Sequence, residues 1–184
     1  GRGGACSWSA NLSVAEGASL RWPGEPFVVA TDARATRTTR ADIADGGSLM
    51  LRDTLVLGRH GEAGGELVAR TDISHAGRPA LVEEFRLAAD DDAPGIRGGR
   101  RVVDQVTTLG AAAILQRAPG ALTRADAAKP AAAAPESTRP DSTMLGSAPV
   151  GHDLPVGVTR LDLFAPGRIE RWLGDDVHLS PLRC

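Results

Sequence analysis

The sequence predicts a mainly β protein, built from consecutive antiparallel or solenoid-like strand layers with one or two short helices. Two observations lead to this fold class: short runs alternate between apolar and polar residues, and glycine-containing turns separate them. The 184 residues are 42% hydrophobic but only 3% aromatic, with no tyrosine. We therefore expect an aliphatic core in a chain long enough to bury one.

An internal repeat supports the strand layers. Residues 12–22 resemble residues 41–51 at a constant offset, which places Val14 over Ile43. Each copy reads as strand, acidic-glycine turn and strand, and a looser third copy covers residues 73–85. Repeats of this length are typical of stacked strand layers such as β-solenoids. A meandering β-sandwich is the alternative.

The clearest hairpin follows the second copy. Alternation runs through residues 67–73, a turn is predicted at Ala76 and Gly77, and alternation resumes over residues 81–87. The next predicted strand covers residues 102–109, where β-branched residues are frequent.

The C-terminal third is less regular. Residues 118–143 are rich in alanine and proline and predict an extended loop. A strand is expected over residues 157–166 and a final helix over residues 167–176, with Ile169, Trp172 and Leu173 as its apolar stripe. We interpret residues 1–117 as a β-rich core and residues 144–184 as the C-terminal strands and short helix of the same domain.

Two carboxylates fall on apolar strand faces. Asp53 has the parity of Leu51 and Leu55, and Glu83 lies between Leu81 and Phe85. A buried carboxylate costs several kcal/mol unless it is paired, and desolvation raises its pKa. One interpretation is that inward arginines or backbone N–H groups satisfy both acids. The other is a polar path whose sparse oxygen ligands bind a divalent metal weakly and release it.

A second set of possible metal ligands lies around two turns. His60, Glu62 and Glu66 are close in sequence, but they match no recognised metal-binding motif. A metal-dependent hydrolase that uses Asp53, His60 and Glu62 is therefore a weaker alternative, and it requires these ligands to converge. No nucleophile elbow is present, so no catalytic residue is predicted.

Charge and hydropathy restrict the partners. The formal net charge is −2, which disfavours nucleic acid or an anionic membrane surface. No apolar run has the length of a membrane-spanning helix, and no signal-peptide pattern begins the chain. We expect a soluble cytoplasmic protein without nucleic-acid or membrane partners.

Four motifs in order resemble the urease accessory protein D family, which is called H in some organisms. They are "GASLRWPGEP" (residues 17–26), "ADGGSL" (residues 44–49), "LRDTLVLGR" (residues 51–59) and "GRPALVEEFRL" (residues 77–87). The family's early glycine- and proline-rich segment is absent, so the chain is expected to lack the family's N-terminal segment.

The resemblance implies a scaffold without catalytic activity. Such a scaffold binds the urease apoprotein and the accessory proteins F and G, of which G is a GTPase, and helps deliver nickel into the urease active site. Asp53 and Glu83 match acidic positions of the family and would line an interior nickel path, whereas Glu62 or Glu66 would match a glycine–glutamate pair. No tightly bound cofactor is implied, only transient Ni²⁺. A β-solenoid interaction module without a metal role is the alternative.

Overall fold

The computed structural model describes residues 4–90, 97–110 and 156–182. The described residues form ten strands and a short 3-10 turn, so the mainly β prediction is confirmed. The elements are β1 (Ala5–Val14), β2 (Ser19–Pro23), β3 (Phe27–Val29), β4 (Arg34–Ile43), β5 (Ser48–Leu57), β6 (Glu66–His75), β7 (Arg78–Ala88), β8 (Val102–Leu109), β9 (Val158–Asp162), β10 (Gly167–Gly174) and the 3-10 turn (Val177–Leu179).

The strands form two mixed sheets that pack face to face. Sheet A has the order β1-β4-β6-β7, and sheet B has the order β2-β5-β8-β10-β9 with β3 also paired to β5. Strand β4 is parallel to β1 and β6, and β5 is parallel to β2 and β3. The other pairs are antiparallel, so the antiparallel prediction holds for only part of the structure.

The sequence repeat coincides with the register of the parallel strands. Val14 pairs with Ile43 between β1 and β4, and Ser19 pairs with Ser48 between β2 and β5. The two serine hydroxyls lie 2.6 Å apart, at a separation of 29 residues along the chain. The third copy departs from this pattern because β7 turns back along β6 in sheet A instead of joining sheet B. The solenoid-like part of the prediction is therefore not shown.

The hairpin between β6 and β7 matches its prediction. His75 pairs with Arg78, which leaves a two-residue turn at Ala76 and Gly77 with φ values of 50° and 73°. Positive φ at both turn residues is typical of a type I′ turn, which fits the twist of the flanking strands.

The helix predicted over residues 167–176 is wrong, because residues 167–174 form strand β10 between β8 and β9. Ile169 faces sheet A and is 2% exposed, whereas Trp172 lies on the opposite face against Val102 and Leu182. Both faces of the strand carry buried apolar residues, and their spacing imitates a helical stripe.

Some predictions lie outside the described residues, including the extended loop over residues 118–143. Strands β9 and β10 of the C-terminal section share sheet B with β5 and β8. The division into domains stays a prediction. Among the described residues, no helix has the length and apolar composition needed to cross a membrane.

Apolar side chains fill two separate clusters between the sheets. Cluster 1 lies toward the ends of β1 and β4, and cluster 2 lies toward the start of β4 and the end of β5. The buried members of cluster 1 are Val14, Ala41, Ile43, Leu49, Leu51, Ile73, Leu81, Leu109 and Ile169, and those of cluster 2 are Val29, Ala35, Leu55, Leu57, Leu67, Ala69, Leu87 and Val103.

A glycine just before β6 is required by a close backbone approach. A Cβ atom at Gly65 would lie 2.1 Å from the carbonyl oxygen of Ala33 and 2.6 Å from that of Ala30. Because backbone must move to relieve these contacts, we expect Gly65→Ala to lower the free energy of unfolding by more than about 1 kcal/mol. Urea denaturation measures the effect, and Gly4→Ala, which meets nothing within 4 Å, is the control. Equal stability of both variants would contradict the prediction.

Candidate functional site

Between clusters 1 and 2, the inward faces of both sheets carry polar side chains at the same level. We call these side chains the polar layer. Each lies on a different strand, and each has apolar inward neighbours further along its strand in at least one direction. The members are Arg37 on β4, Asp53 on β5, Thr71 on β6, Glu83 on β7, Gln105 on β8 and Arg171 on β10.

Strand register arranges these residues in rows. In sheet B, Asp53 pairs with Gln105, which in turn pairs with Arg171. In sheet A, Thr71 pairs with Glu83. Directly paired residues place their side chains on the same face of a sheet, so one row runs from β5 to β10 in sheet B and the other from β6 to β7 in sheet A. Arg37 of β4 joins them through its contact with Asp53.

Asp53 forms a buried ion pair with Arg37. Arg37 Nη2 lies 2.6 Å from Asp53 Oδ1, and the two side chains are 6% and 13% exposed. The guanidinium carbon also lies over the rings of Trp8 and Phe27, at 4.5 and 5.2 Å from their centroids. Despite the short distance, Arg37 Nε and Asp53 Oδ1 both lack a protein partner with hydrogen-bond geometry. The pair is therefore held by charge and stacking more than by aligned hydrogen bonds.

Burial opposes both charges of this pair. Loss of hydration raises the pKa of the Asp53 carboxyl, outweighing the attraction of Arg37, and the carboxylates of Asp104 and Glu83 raise it further. Burial also lowers the pKa of the Arg37 guanidinium, and the attraction of Asp53 offsets this only partly. Because burial opposes both charges, this ion pair is weak evidence for stabilisation. Stability alone therefore does not explain its presence, and a functional role is the other explanation.

Glu83 has its own arginine at the other end of the polar layer. Arg171 Nη2 donates to Glu83 Oε1, and Gln105 Nε2 donates to Glu83 Oε2 at 3.0 Å. Arg171 Nε also donates to Gln105 Oε1 at 2.8 Å, and its guanidinium lies 4.6 Å from the centroid of the Phe85 ring. Arg171 and Glu83 are 27% and 19% exposed, so this end of the layer reaches the surface.

A groove of about 350 Å³ begins at Arg171. Its walls come from β7, β8 and β10, with apolar and charged side chains mixed along them. The other lining residues are Glu84, Phe85, Arg86, Leu87, Val103 and Leu173.

Another buried carboxylate lies on the opposite face of sheet B. Asp104 is fully buried and accepts hydrogen bonds from Arg52 at 2.8 and 3.0 Å and from Thr54 at 2.8 Å. The Ser180 hydroxyl of the C-terminal segment also donates to this carboxylate. These bonds tie residue 180 to the outer face of the sheet, away from the polar layer.

The weaker candidates lie apart from Asp53. Glu66 is exposed and lies 3.5 Å from Arg34. His60 and Glu62 lie in the turn after β5, where the backbone N–H of Arg59 donates to Glu62 and lowers the pKa of its carboxyl. No group of three or more potential metal-binding side chains forms in the described part of the chain. The hydrolase alternative required Asp53, His60 and Glu62 to converge on one metal, and the described residues do not show this convergence.

Sequence reasoning missed Arg37, Gln105 and Arg171. The alternation that identified Asp53 also places Arg37 on the face of Ala35 and Ala41, so the same parity test could have found it. Arg171 escapes the same test because the sequence predicts a helix over residues 167–176.

Comparison with known proteins gives a consistent family. A family model described as UreD urease accessory protein matches residues 2–180. Urease accessory protein UreD 1 of Streptomyces griseus is 45% identical over 111 residues, which cover 59% of this chain and 44% of the relative. UreD 3 of the same organism is 36% identical over 104 residues, which cover 54% and 40%. The UreD protein of Pseudomonas fluorescens is 33% identical over 92 residues, which cover 48% and 33%. The chain thus spans less than half the length of these relatives.

The charge balance of the buried pair predicts a pH effect. In Arg37→Met, Asp53 loses the attraction that lowers its pKa, so this already raised pKa rises further. The Asp53 carboxyl then keeps its proton to a higher pH in the folded state than in the unfolded state. The free energy of unfolding should fall as pH rises from 3.8 through the raised pKa, by about 1.4 kcal/mol for each added pKa unit.

Urea denaturation between pH 4 and 8 measures this slope against wild type. The double variant Arg37→Met with Asp53→Leu is the control, because it removes the titrating group and replaces the ion pair with apolar side chains. An Arg37→Met variant whose stability changes with pH as wild type does would contradict the assignment.

Proposed function

The chain belongs to the UreD urease accessory protein family, and from this we propose that it is a scaffold for urease maturation. It binds the urease apoprotein together with the accessory proteins F and G, and it helps deliver Ni²⁺ into the urease active site. The protein acts in the cytoplasm, catalyses no reaction itself, and carries nickel only transiently as cargo.

The polar layer is the observation that carries the nickel role. Asp53 and Glu83 hold carboxylates inside a sandwich whose other buried side chains are mostly aliphatic. Oxygen donors from carboxylates, hydroxyls and amides bind a hard or intermediate divalent cation without the affinity of a thiolate site. Such a row of donors suits passage of an ion because each position can release it to the next.

The Asp53 carboxyl fits a transient role on energetic grounds. Its raised pKa shows that burial disfavours the charged form even beside Arg37. A passing cation would add a second positive neighbour and favour the charged form while it stays. When the ion moves on, that stabilisation ends, so binding at Asp53 does not trap the cargo.

A protein-interaction module without a metal role is the second candidate. It is favoured by the arginine partner of each acid, Arg37 for Asp53 and Arg171 for Glu83. In this alternative the acids only specify how the two sheets face each other, and the scaffold role stands without them.

The two candidates differ in what happens to urease when the acids are neutralised. The full-length protein would be expressed in cells that carry a urease operon without its own D gene. We expect wild type to restore urease activity. Asp53→Asn combined with Glu83→Gln should still bind urease and the F and G proteins but leave urease several-fold poorer in nickel, measured as metal per purified enzyme.

The matched control neutralises two outward carboxylates on β6 and β7, as Asp72→Asn combined with Glu84→Gln. In wild type both acids pair with arginines at the surface. This control should give urease its normal nickel content. A folded polar-layer variant that works as well as wild type would favour the interaction module. A wild-type protein that neither restores activity nor binds its partners would refute the scaffold proposal.

A further inference from the structure

We propose that Arg171 is an internal counter-cation of Glu83, and that a divalent metal ion arriving through the groove displaces it. The inference rests on the proposed function: it names the entry point of the polar layer and the residue that controls entry. It concerns the Arg171 end alone, because the two arginines of the layer are held differently.

Arg37 is fixed, whereas Arg171 has room to move. The Arg37 side chain is 6% exposed and contacts two aromatic rings. The Arg171 side chain is 27% exposed, contacts the single ring of Phe85 and borders the groove of about 350 Å³. An ion that comes from solvent through this groove therefore meets Arg171 and Glu83 before Asp53.

Departure of Arg171 frees two oxygens at one place. Its guanidinium now donates hydrogen bonds to both Glu83 Oε1 and Gln105 Oε1. Glu83 Oε2 stays bound to Gln105 Nε2 at 3.0 Å, and this bond keeps the two side chains together. One carboxylate oxygen and one amide oxygen would then face the position that the guanidinium held. Both are donor types that divalent cations accept.

Charge balance explains why displacement is needed. The two ion pairs make the polar layer neutral, so a divalent ion added beside an unmoved Arg171 would leave buried positive charge without compensation. If Arg171 turns outward into the groove, its charge moves toward water and the metal ion replaces it as the partner of the Glu83 carboxylate.

Nickel binding to the purified full-length protein tests the assignment without urease. The probe is Ni²⁺ alone, measured by competition with a chromogenic chelator. Arg171→Gln should bind Ni²⁺ about tenfold more tightly than wild type, because no fixed cation competes for Glu83. Arg171→Lys should fall between the two, since an ammonium cannot hold Glu83 and Gln105 as a planar guanidinium does.

Two further variants locate the effect. Adding Glu83→Gln to Arg171→Gln should return the affinity to the wild-type value. The matched control is Arg86→Gln, which removes the same charge from an exposed arginine that lines the groove and pairs with Glu84. It should not change the affinity.

Several results would overturn the assignment. These are unchanged affinity in a folded Arg171→Gln variant, an equal gain in Arg86→Gln, or a gain that survives Glu83→Gln. If circular dichroism shows that Arg171→Gln is unfolded, Arg171→Lys decides, and unchanged affinity there overturns the assignment. Urease nickel content is a separate measurement. The proposed nickel path can therefore be refuted while the proposed displacement of Arg171 is supported. The displacement can equally be refuted while the nickel path is supported.

Discussion

Charge buried between the two sheets is the constraint on which the sandwich depends. Arg37 and Asp53 belong to strands of different sheets, and their 2.6 Å contact requires these strands to face each other at one level. The rings of Trp8 and Phe27 cover the guanidinium, so β1 and β3 share the same constraint. Aliphatic contacts are non-directional, so they resist sliding of one sheet over the other less strictly than an ion pair does. Sliding that separates the two charges of a desolvated ion pair is strongly destabilising.

The same constraint links fold to function in this UreD family member. Apolar clusters on both sides stabilise the sandwich, so the side chains at the level between them contribute to the alignment of the sheets more than to net stability. At one end of this level the arginine is enclosed, and at the other it borders a groove. The asymmetry lies in the two arginines, which are 27% and 6% exposed, whereas Glu83 and Asp53 are exposed to a similar degree.

Sequence reasoning recovered features that depend on short-range periodicity. Alternation placed Asp53 and Glu83 on inward faces, and the repeat anticipated which residues of β1 and β4 lie side by side. It failed for β10, where Trp172 and Ile169 are buried on opposite faces and imitate a helical stripe. It could not pair Glu83 with Arg171, because that contact depends on which strands of two sheets face each other, and local periodicity carries no such information.

The long sequence separations in the polar layer also affect how the protein folds. The β6–β7 hairpin joins neighbouring residues, but Arg171 and Glu83 are 88 positions apart and Arg171 and Gln105 are 66 apart. Contacts between distant positions form slowly because a long loop must close first. We therefore expect the charged level to be completed after the local pairs have formed. A strand that docks two residues out of register keeps its inward face and brings a charge of the polar layer against an aliphatic cluster. The polar layer thus raises the free energy of packings in which the two sheets are misaligned.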